Sequence, residues 1–118
     1  MITHIVLFEP KVGLSHDDRI AFAQSVVDCL RAVPTIERCS VGRAVDVDAG
    51  YPRQMGETTY EFAAVLEFTG EQELRSYLNH PLHVRMGEMF WKCCERSIVS
   101  EVRSVDLGDA SVVDSLAE

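Results

Sequence analysis

Residues 2–9, ITHIVLFE, constrain the fold more than any other stretch, because the run is apolar on both sides. Its β-branched residues predict a strand, which Pro10 and Gly13 end. His4, Val6 and Phe8 are assigned to one face, and Ile2, Ile5 and Leu7 mostly to the other. A sheet built around such a strand needs cover on both faces, and one layer of helices supplies only one. A symmetric copy of the chain, packed sheet to sheet, is the expected second cover.

The rest of the chain supplies the other elements. Ser15 with Asp18 has the form of a capping box, with acids in the first turn of a helix. Ile20, Ala23, Val27 and Leu30 then recur at helical spacing, Phe22, Val26, Cys29 and Val33 widen that face, and Pro34 ends it. Residues 36–47 alternate Cys39, Val41, Val45 and Val47 as a second strand, and Gly50, Pro52 and Gly56 make 48–59 a loop. Residues 60–69, YEFAAVLEFT, are the clearest strand, with Phe62, Ala64, Leu66 and Phe68 in alternation. Thr69 with Gln72 repeats the capping pattern before a short helix over 70–79. Pro81 suits the first turn of another helix that runs to about residue 96. Residues 98–105 read as a last strand with imperfect apolar spacing. The domain is expected over 1–107, followed by a small, polar tail at 108–118, loosely held or packed on a partner. The order β-α-β-β-α-β is the ferredoxin-like α+β arrangement, one antiparallel sheet with helices on one face. On this reading His4 lies on the face away from the helices.

Charge narrows the partners. The net charge is −8 and the 11 basic residues are scattered, whereas nucleic acid and anionic membranes both call for a positive field. Neither is an expected partner. No apolar run reaches the roughly 18–20 residues that cross a bilayer. The N-terminus lacks the basic lead of a signal peptide, so a cytoplasmic location is expected. The four cysteines, Cys29, Cys39, Cys93 and Cys94, form no CxxC pair and read as reduced, partly buried thiols.

The segment YLNHPLHVRMGEMFW (77–91) carries the chemistry-bearing residues. His80 and His83 are three apart, but Pro81 between them makes His80 a helix cap and breaks a shared face. No third or fourth ligand stands at a familiar spacing, so no metal is expected. Two readings stay open. His80 can cap while His83, Tyr77 and Trp91 pack as core residues with polar tips. Alternatively, His83 can move protons, since imidazole titrates near neutrality, with the Tyr77 phenol approaching it across the bend at 79–81. His4 joins them only if the helix end curls over the sheet edge. Trp91, Met86, Met89 and Phe90 are expected to pack the helix.

The N-terminal HIVLF, the long helix ending at a proline and above all YLNHPLHV make the chain resemble the stress-responsive α/β-barrel (Dabb) family, over roughly residues 2–106. The resemblance implies a dimeric α+β barrel and a small-molecule ligand, with no cofactor. A plant branch of the family comprises polyketide cyclases. By resemblance to that branch His83 is the catalytic base, Tyr77 hydrogen-bonds a substrate carbonyl, and His4 lies in the same pocket. Phe62 and Val26 stand where the plant enzymes carry a pocket histidine and a pocket tyrosine, which implies a more apolar ligand-binding cavity. The expected activity is acid/base chemistry on a carbonyl compound, as a cyclase, isomerase or lyase. The alternative is a non-catalytic, stress-responsive binding protein.

Overall fold

A computed structural model describes residues 1–50 and 58–118. Within the loop expected at 48–59, residues 51–57 lie outside the described residues. The elements run β1 (Ile2–Pro10), α1 (His16–Ala32), β2 (Arg38–Arg43), β3 (Phe62–Phe68), α2 (Glu71–Leu78), α3 (Pro81–Cys93), β4 (Cys94–Arg103) and α4 (Val112–Ala117). The four strands form one antiparallel sheet in the order β2-β3-β1-β4. The expected ferredoxin-like fold is therefore observed.

Burial in β1 alternates strictly, with Ile2, His4, Val6 and Phe8 buried and Thr3, Ile5 and Leu7 half-buried. Two assignments change with this. Ile2 shares a face with His4, as a period of two requires, and that face is the one under the helices. Phe8 contacts Phe22 of α1 and Phe90 of α3 at ring-centroid distances of 5.9 and 5.0 Å, and Phe22 meets Phe90 at 5.0 Å. This edge-to-face cluster, favoured by the ring quadrupoles, ties both long helices to the sheet. Ala64, Leu66 and Phe68 of β3 complete the floor of the core.

Ser15 caps α1 as expected, its side chain accepting from the Asp18 N–H. The buried ridge of α1 is Phe22, Val26, Cys29 and Val33, whereas Ile20 is exposed. The residues expected only to widen the apolar face are its centre, and Phe22 of that row meets both Phe8 and Phe90 of α3. Gly70, not Thr69, stands at the N-cap of α2, with no side-chain cap.

Two strands have different limits from those expected. β2 stops at Arg43, and Val45 and Val47 beyond it are exposed. β4 begins at Cys94 directly after α3, so the last helix is shorter and the strand longer than their composition suggested. The cause is pairing: Pro10 and Glu9 of β1 lie opposite Cys94 and Arg96, and the register shifts between them. A proline has no N–H for the ladder, so an irregularity belongs there. Past β4 the chain forms the short helix α4, which is almost wholly exposed. Among the described residues no helix is long and apolar enough to cross a membrane.

Candidate active site

The sequence NHPLH bends the chain from α2 into α3. His80 is the N-cap of α3, its Nδ1 accepting from the Leu82 N–H at 3.1 Å, and Pro81 occupies the first turn. The tautomer of His80 follows: Nδ1 is the acceptor, so its ring is committed to capping. His83, one turn inside the helix, faces back toward α2. Its ring meets that of Tyr77 edge-on at 4.7 Å, as expected for a phenol brought across the bend.

His4 is a correction to the sequence reading. It lies on the helix side of the sheet, 3 % exposed, with its ring edge-on to Tyr77 at 5.7 Å. No curling of the helix over the sheet edge is needed, because α2 and α3 sit directly above β1. Its Nδ1 is 2.7 Å from Oε1 of Glu101, the residue paired with it on β4.

A cavity of about 480 Å³ opens between α3 and the β1–β4 edge. His4, His83 and Glu101 line it together with the apolar Met86, Phe90, Trp91 and Val99. Burial lowers the pKa of His83 below its ordinary 6.5, and nearby His4 adds to the shift while the Leu78 carbonyl opposes it. The positive end of the α3 dipole, at whose first turn His83 stands, also disfavours a cation there. His83 is thus a neutral imidazole at neutral pH, with a lone pair to offer.

Tyr77, Phe62 and Val26 are placed elsewhere. Tyr77 is 1 % exposed and does not line the cavity. Its hydroxyl lies beside the Cys29 thiol, and burial followed by that neighbour raises its pKa strongly. Burial likewise raises the Cys29 thiol, against the opposing effect of the Tyr77 hydrogen bond. Phe62 stacks on Phe8 at 5.5 Å and carries Arg43 over its other side, and Val26 is part of the buried ridge of α1. Neither lines the cavity. Trp91, expected to pack the helix, is instead 87 % exposed at the cavity's rim. Among the described residues no three His, Cys, Asp or Glu side chains converge as a metal-binding group.

Glu101 is the site residue that sequence reasoning missed. The signal was present: an acidic residue in a β-branched strand, at a position whose alternation points it toward the helices. Only the register shows that a histidine lies opposite.

A four-stranded antiparallel sheet under two long helices, with a histidine-lined cleft at its β1–β4 edge, defines an α+β domain of the ferredoxin-like class. The chain belongs to the Dabb family, the stress responsive A/B barrel domain, whose family model matches residues 2–104. No curated protein matches it significantly. Among solved structures, a dimeric ferredoxin-like protein of unknown function from Thermobifida fusca is 21 % identical, with a TM-score of 0.68 over 87 % of this chain and 90 % of that one. A Dabb family protein from Mesorhizobium loti is 19 % identical, with a TM-score of 0.69 over 89 % and 97 %. Hydroxynitrile lyase from Passiflora edulis is 17 % identical, with a TM-score of 0.70 over 89 % and 95 %. At these identities the likeness is one of fold.

Proposed function

We propose that the cleft between α3 and the β1–β4 edge binds a carbonyl-bearing small molecule and transforms it by acid/base chemistry, as a cyclase, isomerase or lyase, without a cofactor. The observation that carries this reading is a half-buried His83, kept neutral by burial, opening onto an apolar cavity large enough for a small organic ligand. The ring nitrogen turned away from the Leu78 carbonyl takes a proton from the carbon next to the carbonyl. The electron pair moves onto the carbonyl oxygen as an enolate, and the imidazolium later returns the proton to the product. Apolar walls keep bulk water out of the cleft, which strengthens the attraction between the imidazolium and the enolate that form together. The hydroxynitrile lyase of the same fold supports a lyase-type activity by analogy alone.

The same reading includes a homodimer. Ile5 and Leu7 of β1, half-buried, face away from the helices, as do Val65, Ile98 and Val102, which are exposed in the single chain. Packing this face against its copy gives the barrel, and the Thermobifida fusca relative is described as dimeric. The cysteines are free thiols, two of them fully buried, which suits a reducing cytoplasm.

Exchange of α-protons for deuterium in a panel of small ketones and 1,3-dicarbonyls, followed by NMR, tests the base. Wild type should accelerate exchange, and His83→Ala should lose about 10²–10⁴-fold of that acceleration. Equal exchange by both proteins, or none above buffer, refutes the assignment. A second reading, ligand binding without turnover, is favoured by one observation: the Tyr77 hydroxyl is beside Cys29 in the core and not at the cavity wall.

A further inference from the structure

The cleft holds a carboxylate that the proposed base does not use. Glu101 and His4 are direct cross-strand partners, with Oε1 and Nδ1 2.7 Å apart. An ionised carboxylate only accepts hydrogen bonds, so Nδ1 carries the proton and donates it. The lone pair of the neutral ring is then on Nε2. Among the described residues Glu101 is the only hydrogen-bond partner of the His4 ring, and His4 lines the cavity. The imidazole side chain is 4 % exposed and the carboxylate 41 %, so the ring is held in place while its partner stays hydrated.

We propose that Glu101 is a positioning residue that fixes His4 as the Nδ1–H tautomer, making the cleft a site for a neutral, hydroxyl-bearing ligand whose O–H is donated to His4 Nε2. This rests on reading the cleft as a ligand site, and not on His83 acting as a base. The charges around the cleft point the same way. Glu95 and Glu101 both line it, and the Arg96 guanidinium beside them is engaged by Glu95, Glu9 and the Thr59 carbonyl. A carboxylate ligand would meet Glu95 and Glu101 and find both terminal nitrogens of Arg96 already engaged, with only its buried Nε unpartnered among the described residues. The apolar body of the ligand would lie along Met86, Phe90 and Trp91.

Two measurements independent of turnover test this. Nitrogen-15 NMR of the imidazoles, recorded across a pH titration, reads the tautomer of His4. Wild type should carry the proton on Nδ1. Glu101→Gln should keep it there, because its amide oxygen accepts the same bond, and Glu101→Ala should release it toward Nε2. Titration calorimetry with a matched pair, 1-naphthol and 1-naphthoate, reads the ligand class. Wild type should bind the naphthol at least about tenfold more tightly, and Glu101→Ala should narrow that gap. A wild-type proton on Nε2, or an unchanged tautomer in Glu101→Ala, overturns the positioning role. Naphthoate binding as tight as naphthol, or no binding of either at millimolar concentration, overturns the ligand class. Because His83→Ala is assayed by exchange and Glu101 by tautomer and binding, failure of one claim is distinct from failure of the other.

Discussion

Tyr77→Phe removes one buried oxygen from the core beside the site and leaves its ring contacts in place. The ring is 1 % exposed and packs against Phe68 at 5.4 Å, His4 at 5.7 Å and His83 at 4.7 Å. Phenylalanine keeps all three. The loss is the hydroxyl's interaction with the Cys29 thiol, a weak hydrogen-bonding group. A neutral hydrogen bond contributes about 0.5–1.5 kcal/mol net, and a thiol partner places this one at about 0.5–1 kcal/mol. For a chain of 118 residues the unfolding entropy is about 0.25 kcal/mol per kelvin, so Tm should fall by about 2–4 °C. Tyr77→Ala, which removes the ring, should cost about 3–5 kcal/mol, or about 12–20 °C by the same conversion. Thermal unfolding by circular dichroism measures both, at one fixed protein concentration because a dimer's Tm depends on it. In the α-proton exchange assay Tyr77→Phe should stay within about threefold of wild type, under 1 kcal/mol of barrier, because its hydroxyl is beside Cys29 and not at the cavity wall. A loss of about 100-fold or more with a near-native Tm would refute this reasoning. It would show the phenol donating to the substrate oxygen, where one donor is worth about 10²–10³-fold.

Two further outcomes are expected. Burial lowers the folded pKa of His83 below 6.5, so the unfolded chain takes up the proton more readily. The stability gained by keeping the ring neutral is fully present above the unfolded value and is lost as pH falls through the folded one. Urea midpoints should fall from neutral toward mildly acidic pH, and His83→Gln should flatten that fall; parallel profiles would contradict the assignment. On the open face of the sheet, Ile98→Glu should give a monomer in sedimentation velocity with a native circular dichroism spectrum. An undiminished dimer would place the interface elsewhere.

The sheet and its helices were legible in the sequence to differing degrees. β3 could be read residue by residue, because Phe62, Ala64, Leu66 and Phe68 alternate with Glu61, Ala63, Val65 and Glu67, of which only Val65 is a large apolar residue, and all four face the helices. α1 was legible in extent from Ser15 to Val33 but not in orientation, since apolar residues surround much of it and only packing against Phe8 and Phe90 selects the Phe22, Val26 and Cys29 row. The α3–β4 junction was not legible, because Met86 to Cys94 is apolar enough for either element. Pairing of Cys94 and Arg96 with the end of β1 decides it.

For the site, local sequence determined the bend at Asn79–Pro81, the capping role of His80 and the approach of Tyr77 to His83, all of which depend on contacts within a few residues. The resemblance also pointed to His4. The faces of His4 and the partner at Glu101 were decided only by the tertiary structure. A strand apolar on both sides does not declare which side the helices take, and a register linking residues 97 positions apart is set by the whole sheet. The same holds for Tyr77 and Trp91, one sealed against Cys29 and the other left at the rim. Composition makes both aromatic residues candidates for core or ligand, and burial is a property of the assembled layers, not of either residue's neighbours in the chain.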